Sequence, residues 1–262
     1  MSINSYLENL GSSLILSDSE KESINTSINY LERNLKEYFG SAVLEHFQFG
    51  SSTRGTILPR KYDSESDIDY MVVFDNINNY TPQTFLTRLK NFAEAYYSRS
   101  EIYQDSPTIV LELNHIKFEL VPAYKSYMFY YIHDGKGGWL GTNPNDINSS
   151  LKEANKNCKY ILKPVIRLMK YWNISLNYRG YSSYNLESKL VSELKYSYIF
   201  NTSYTDYLLN AFDSLNNAYY FPTTESKRLT NAIEKIKEAL DLEKRGMPYS
   251  AEQKIKEIFP EK

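Results

Sequence analysis

The chain of 262 residues carries 30 basic and 32 acidic side chains, a near-balance that speaks against coating long nucleic acid, which calls for a strongly basic surface. A single cysteine, Cys158, excludes a disulfide framework, and His46, His115 and His133 lack metal-ligand spacing. The first residues lack a charged-then-apolar signal pattern and no apolar run approaches the ~18 residues of a membrane span, so the expectation is a soluble cytoplasmic protein, long enough for a substantial core.

In chain order, Asp18 and Ser19 are expected to cap a helix running to about Phe39, with Ile24, Ile28, Leu31, Leu35 and Phe39 on one face and Gly40 as the stop. Ala42 to Phe49 reads as a strand that feeds Gly50-Ser51. Pro59 to Ser66 is a polar loop before Asp67-Ile68-Asp69-Tyr70-Met71-Val72-Val73, a second strand, and Thr84 to Tyr97 is a helix. Two β-rich runs, Thr108 to Leu113 and Ile116 to Pro122, flank the turn-tolerant pair Asn114-His115 and predict a hairpin. The glycine-rich stretch from His133 to Pro144, which contains Trp139, reads as a connection. Leu151, Ala154, Cys158, Ile161, Leu162, Val165, Met169 and Trp172 then form one long helical stripe, kinked at Pro164. Further helices are expected at about 183–196, 203–214, 226–244 and 249–258. The order predicts an α+β core over residues 1–145 and a helical lobe over 146–262.

Chemistry concentrates in two places. Residues i and i+2 of a strand share a face, so Asp67 and Asp69 present two carboxylates together while Ile68, Tyr70 and Val72 turn to the core. Two adjacent carboxylates repel unless a cation joins them, and oxygen-only ligands suit Mg²⁺. The Gly50-Ser51 turn brings backbone N–H groups and a hydroxyl to where a phosphate could rest. The combination resembles the nucleotidyltransferase superfamily with the DNA polymerase β fold.

That resemblance calls for a third acid on a neighbouring strand. The hairpin register puts Glu112 opposite Lys117 and Val110 opposite Glu119, which makes Glu112 half of a cross-strand ion pair. Glu119 has no such local partner and precedes Val121-Pro122-Ala123, where relatives carry their third acid, so it is assigned that role. The usual residue there is Asp, and the longer Glu shifts the oxygens. On the long helix, Arg167 and Lys170 lie three apart and are expected on one polar face.

Taken together, Gly50-Ser51 with Arg54-Gly55-Thr56, Asp67-Ile68-Asp69, Glu119 with Val121-Pro122-Ala123, Trp139 with Thr142-Asn143-Pro144, Lys170-Tyr171-Trp172 and Ser183-Tyr184-x-Leu186-Glu187 resemble the bacterial CD-NTases, relatives of cyclic GMP–AMP synthase and oligoadenylate synthetase in antiphage signalling. The resemblance implies a nucleotidyltransferase core, with the helical lobe completing a cleft for two nucleotides. It implies that Asp67, Asp69 and Glu119 hold two Mg²⁺ ions, with Mn²⁺ as a substitute. Gly50, Ser51, Lys170 and Ser183 would hold the triphosphate, and Tyr184 is a base-stacking candidate that fits a core position equally well. Nucleoside triphosphates are the implied donor and acceptor, and the product a cyclic or short linear oligonucleotide read by a separate effector protein. The sequence leaves open a template-independent or protein-primed polymerase of the Hailong type, a toxin-like transferase acting on tRNA or protein, and an inactive nucleotide-binding module.

Overall fold

A computed structural model describes residues 1–175, 179–217 and 223–260. The contacts divide the chain into two units, one of Leu16–Arg60 with Ser64–Asp146, the other of Met1–Ile15, Lys61–Asp63 and Ile147–Lys262. The N-terminal fifteen residues, which the sequence assigns to the core, therefore belong with the helical unit. They form helix α1 (Ile3–Ser13), capped by the Ser2 hydroxyl, and bury Ile3, Tyr6, Leu7 and Gly11 on one face. That helix lies outside every element expected from the pattern.

In the first unit, helix α2 (Asp18–Phe39) opens one residue earlier than expected, on a capping box. Ser17 accepts from the Glu20 amide, and the Glu20 carboxylate accepts from the Ser17 amide. Gly40 ends the helix at φ 52°. Strand β1 (Val43–Gln48) follows, then the short helix α3 (Gly50–Arg54), strand β2 (Asp67–Phe74) and helix α4 (Pro82–Tyr96). Strands β3 (Glu101–Asp105), β4 (Thr108–Glu112), β5 (Lys117–Ser126), β6 (Phe129–His133) and β7 (Trp139–Thr142) complete one mixed sheet. Its order is β1-β2-β5-β4-β3, with β6 on the far half of β5 and β7 on β6. Only the β2–β5 pair is parallel among the described pairings.

The predicted hairpin is β4–β5, with Val110 opposite Glu119 and Glu112 opposite Lys117. The glycine-rich connection is corrected. Trp139–Thr142 pairs with β6, and Trp139 packs edge-on against Phe85 and Tyr124, at ring distances of 5.5 and 4.7 Å. A turn stabilised by the Asp134 carboxylate, which accepts from the Lys136 and Gly138 amides, folds this segment back on itself.

Alternation along β2 sorts the two faces. Ile68, Tyr70, Val72 and Phe74 join Phe118 and Leu120 of β5 in a core covered by α2 and α4. Met71, Val73, Val121 and Ala123 form a smaller cluster on the opposite face, flanked by Phe47, Phe49, Tyr130 and Ile132. The edge of that second face, at the start of β2 and β5, is where the acids stand.

The helical unit holds α1 and, in chain order, α5 (Asn148–Asn157), α6 (Leu162–Ile174), α7 (Ser183–Leu194), α8 (Tyr204–Asn216), α9 (Thr224–Lys244) and α10 (Pro248–Lys256). The single kinked helix expected around Pro164 is instead two helices. Lys159 and Tyr160 adopt φ of 51° and 65°, ending α5, and Pro164 sits in the first turn of α6. There the missing N–H is no loss, because first-turn amides have no partner inside the helix. Cys158 is buried, as its place on the stripe predicts.

Candidate active site

Parallel pairing of β2 with β5 aligns Asp67 with Lys117 and Asp69 with Glu119. Residues paired in register point to the same face, so Asp67, Asp69, Glu119 and Lys117 share one surface of the sheet. Burial, together with the charges of Asp69 and Glu119, pushes the Asp67 pKa up to about 8. The effect of Lys117 runs the other way but does not cancel these. The site is therefore a concentration of negative charge that a cation would relieve.

Gly50 closes the site from the β1 side. The Phe49 amide donates to the Asp69 carbonyl at 3.0 Å, tying the turn to β2. Gly50 has φ +75°, and a Cβ there would fall 1.8 Å from Asp69 Oδ2. Only glycine lets the chain turn this close to the carboxylate. Ser51 is buried, and its carbonyl accepts from the Thr56 and Ile57 amides, which fixes the loop that follows α3.

The register expected for Lys117 holds, but the ion pair expected from it does not. Lys117 Nζ lies 3.5 Å from Glu119 Oε1, 3.8 Å from Asp67 Oδ2 and 3.6 Å from Glu65 Oε2. Glu112 instead faces Arg60 Nη2 at 3.8 Å. A four-carbon stem lets the ammonium follow the larger sum of negative charge rather than its cross-strand neighbour. Glu119 thus has a local partner after all, two residues earlier on its own strand. The i, i+2 spacing of Lys117 and Glu119 carried that signal in the sequence.

The donor set fits a hard divalent cation. All the acids are oxygen donors on adjacent strands, and the spot between Asp67 and Glu119 already accommodates positive charge. No three His, Cys, Asp or Glu side chains among the described residues converge as a metal cage.

Lys170, Ser183 and Tyr184 belong to the helical unit. The polar face expected for Arg167 and Lys170 is corrected, because α6 is buried on nearly every side. Arg167 donates through Nε and Nη2 to the Gly11 carbonyl at 3.3 and 3.2 Å, and burial brings its pKa down to about 10. Lys170 Nζ pairs with Glu187 Oε1 at 3.1 Å, and Glu187 is 0% exposed. The sequence pattern contained Glu187 without revealing this partnership. Ser183 opens α7, whose cap is the Ser182 hydroxyl, and Tyr184 is exposed on the same first turn rather than in the core. No helix among the described residues is long and apolar enough to cross a membrane.

Comparison with known proteins follows the same lines. A probable cyclic nucleotide synthase of Bacillus cereus (strain VD146) is 29% identical over 142 residues, which is 48% of this chain and 41% of that protein. Among solved structures, Vibrio cholerae DncV cyclic AMP-GMP synthase with the linear intermediate 5′ pppA(3′,5′)pG is similar over 99% of this chain and 95% of that chain, with a TM-score of 0.77 at 13% identity. Escherichia coli MS115-1 CdnC with ATP is similar over 100% and 98%, with a TM-score of 0.73 at 14% identity. Elizabethkingia meningoseptica CdnE with GTP and Apcpp is similar over 82% and 83%, with a TM-score of 0.64 at 18% identity. These likenesses show the fold, an α+β CD-NTase architecture with a mixed sheet and flanking helices. Residues 1–155, more than half of the chain, match the Second Messenger Oligonucleotide or Dinucleotide Synthetase domain, and the protein belongs to that family of nucleotidyltransferases.

Proposed function

We propose that this protein joins nucleoside triphosphates into a cyclic or short linear oligonucleotide messenger, releasing pyrophosphate, and that it does so in the cytoplasm as part of antiphage defence. The observation that carries the reading is the register of Asp67 and Asp69 against Glu119, with Gly50 packed against the Asp69 carboxylate. The family membership, and the ATP, GTP and pppApG named with its structural relatives, support the same substrate class.

Asp67, Asp69 and Glu119 are the catalytic acids, and together they would hold two Mg²⁺ or Mn²⁺ ions. When bound, such ions supply activation of a ribose hydroxyl and neutralisation of charge on the transferring phosphate. Asp67 must be ionised to serve, so it gives up the proton that the crowded acids retain. Gly50 keeps the chain close enough to Asp69 to fix the orientation of its carboxylate. Gly50, Ser51, Lys170 and Ser183 are proposed to bind the donor phosphates, and Tyr184 to stack on a base, for which its exposure suits it. A separate effector protein would respond to the product.

The test is incubation of the full chain with each labelled NTP and dNTP plus Mg²⁺ or Mn²⁺, with products identified by mass spectrometry. Parallel reactions receive tRNA, single-stranded DNA or a protein acceptor. Oligonucleotide formed from NTPs alone is the expected result. Label found only on an added macromolecule, or on the tyrosines of the enzyme itself, would replace this reading with a transferase or a primed polymerase. Bound nucleotide with no product would leave an inactive binding module.

A further inference from the structure

Lys117 stands among Glu65, Asp67 and Glu119. Its ammonium is within 3.8 Å of Glu65, Asp67 and Glu119, and its side chain is only 9% exposed. It reaches this position because β5 runs parallel to β2 with Lys117 beside Asp67 and Glu119 beside Asp69. Oxygens of Glu65, Asp67 and Glu119 gather around the Lys117 nitrogen.

We infer that Lys117 is the resident counter-cation of the acid site, a positioning residue that holds Asp67 and Glu119 together and against which a divalent ion must compete, so that Lys117 sets the metal concentration at which the site loads. The inference rests on the metal-dependent reading given above. A divalent ion bonded to Asp67 Oδ2 at ~2.1 Å would lie within ~6 Å of Nζ where it now stands. That is less than the Debye length at physiological salt, and the ammonium is largely shielded from water, so the repulsion between ion and ammonium is poorly screened. Glu65 gives the ammonium somewhere to go. Its side chain is 65% exposed, precedes β2, and its carboxylate already lies 3.6 Å from Nζ. Metal loading therefore shifts Lys117 away from Asp67 and Glu119 and onto Glu65.

The experiment is titration of Mn²⁺ into the nucleotide-free full chain at fixed pH and ionic strength, followed by electron paramagnetic resonance of the free ion. Lys117→Met keeps the apolar stem and removes the charge, and it should bind Mn²⁺ at least ~10-fold more tightly than wild type. Lys117→Arg should bind no more tightly than wild type. Glu65→Gln alters an exposed side chain with little risk to folding, and it should weaken Mn²⁺ binding several-fold by removing the alternative partner. If Lys117→Met binds Mn²⁺ no better than wild type, or Glu65→Gln binds it more tightly, the proposal is wrong even where Asp67→Asn abolishes binding. If wild type and every variant alike bind no Mn²⁺, the metal reading itself falls, and the role of Lys117 falls with it.

Discussion

Asp67→Asn should make the metal-free protein more stable while destroying its activity. The Asp67 carboxyl is held protonated up to about pH 8, because burial and the charges of Asp69 and Glu119 oppose its ionisation. In the unfolded chain the same group ionises near ~3.9. Between these limits the folded state binds more protons than the unfolded state, so stability from this group falls as pH rises from about 4 to about 8 and levels off beyond. At ~1.4 kcal/mol per pH unit the whole window would amount to ~6 kcal/mol. The side chain remains partly open to water and shares its charge with its neighbours, so about 2 kcal/mol is the reasonable expectation. Asparagine carries no charge to desolvate, and its gain should be small at pH 4.5 and near its maximum at pH 8.5. Urea unfolding in EDTA at the two pH values measures the difference. Wild type should also gain more from added Mg²⁺ at pH 8.5 than at pH 4.5, a gain the variant lacks. An asparagine variant that is no more stable at pH 8.5, or whose advantage does not change with pH, would refute the picture of crowded acids.

Gly50→Ala brings a methyl to within 1.8 Å of Asp69 Oδ2 at a φ of +75°, so it should cut oligonucleotide formation by ~100-fold or more through a displaced carboxylate. Gly135→Ala has a similar φ of +80° with nothing within 4 Å, and it should leave product formation unchanged in the same assay. Glu187→Gln leaves the Lys170 ammonium buried without its anion, which should cost about 3 kcal/mol by urea unfolding. Joining it to Lys170→Met should recover most of that loss, because the stranded charge is then gone.

The sequence by itself determined the alternation of β2, the β4–β5 register and the extent of α2. These follow from periods of 2 and 3.6 and from caps such as Gly40, all written in neighbouring residues. It also carried the acid pair Asp67 and Asp69, whose shared face needs nothing beyond strand geometry. Helix α1 and strand β7 were not legible. The apolar residues of α1 are few and have meaning only against helices distant in the chain, and β7 hides within glycines that read as a loop. Pro164 was visible, but whether it kinks a helix or begins one depends on the backbone at Lys159 and Tyr160. The partners of long cations were least legible of all. Lys170 looked solvated and is buried against Glu187, while Lys117 looked paired with Glu112 and stands among Glu65, Asp67 and Glu119. Only the tertiary structure decides such cases, because an ammonium on a flexible stem goes where charges from several remote segments sum most favourably, and that sum has no period along the chain.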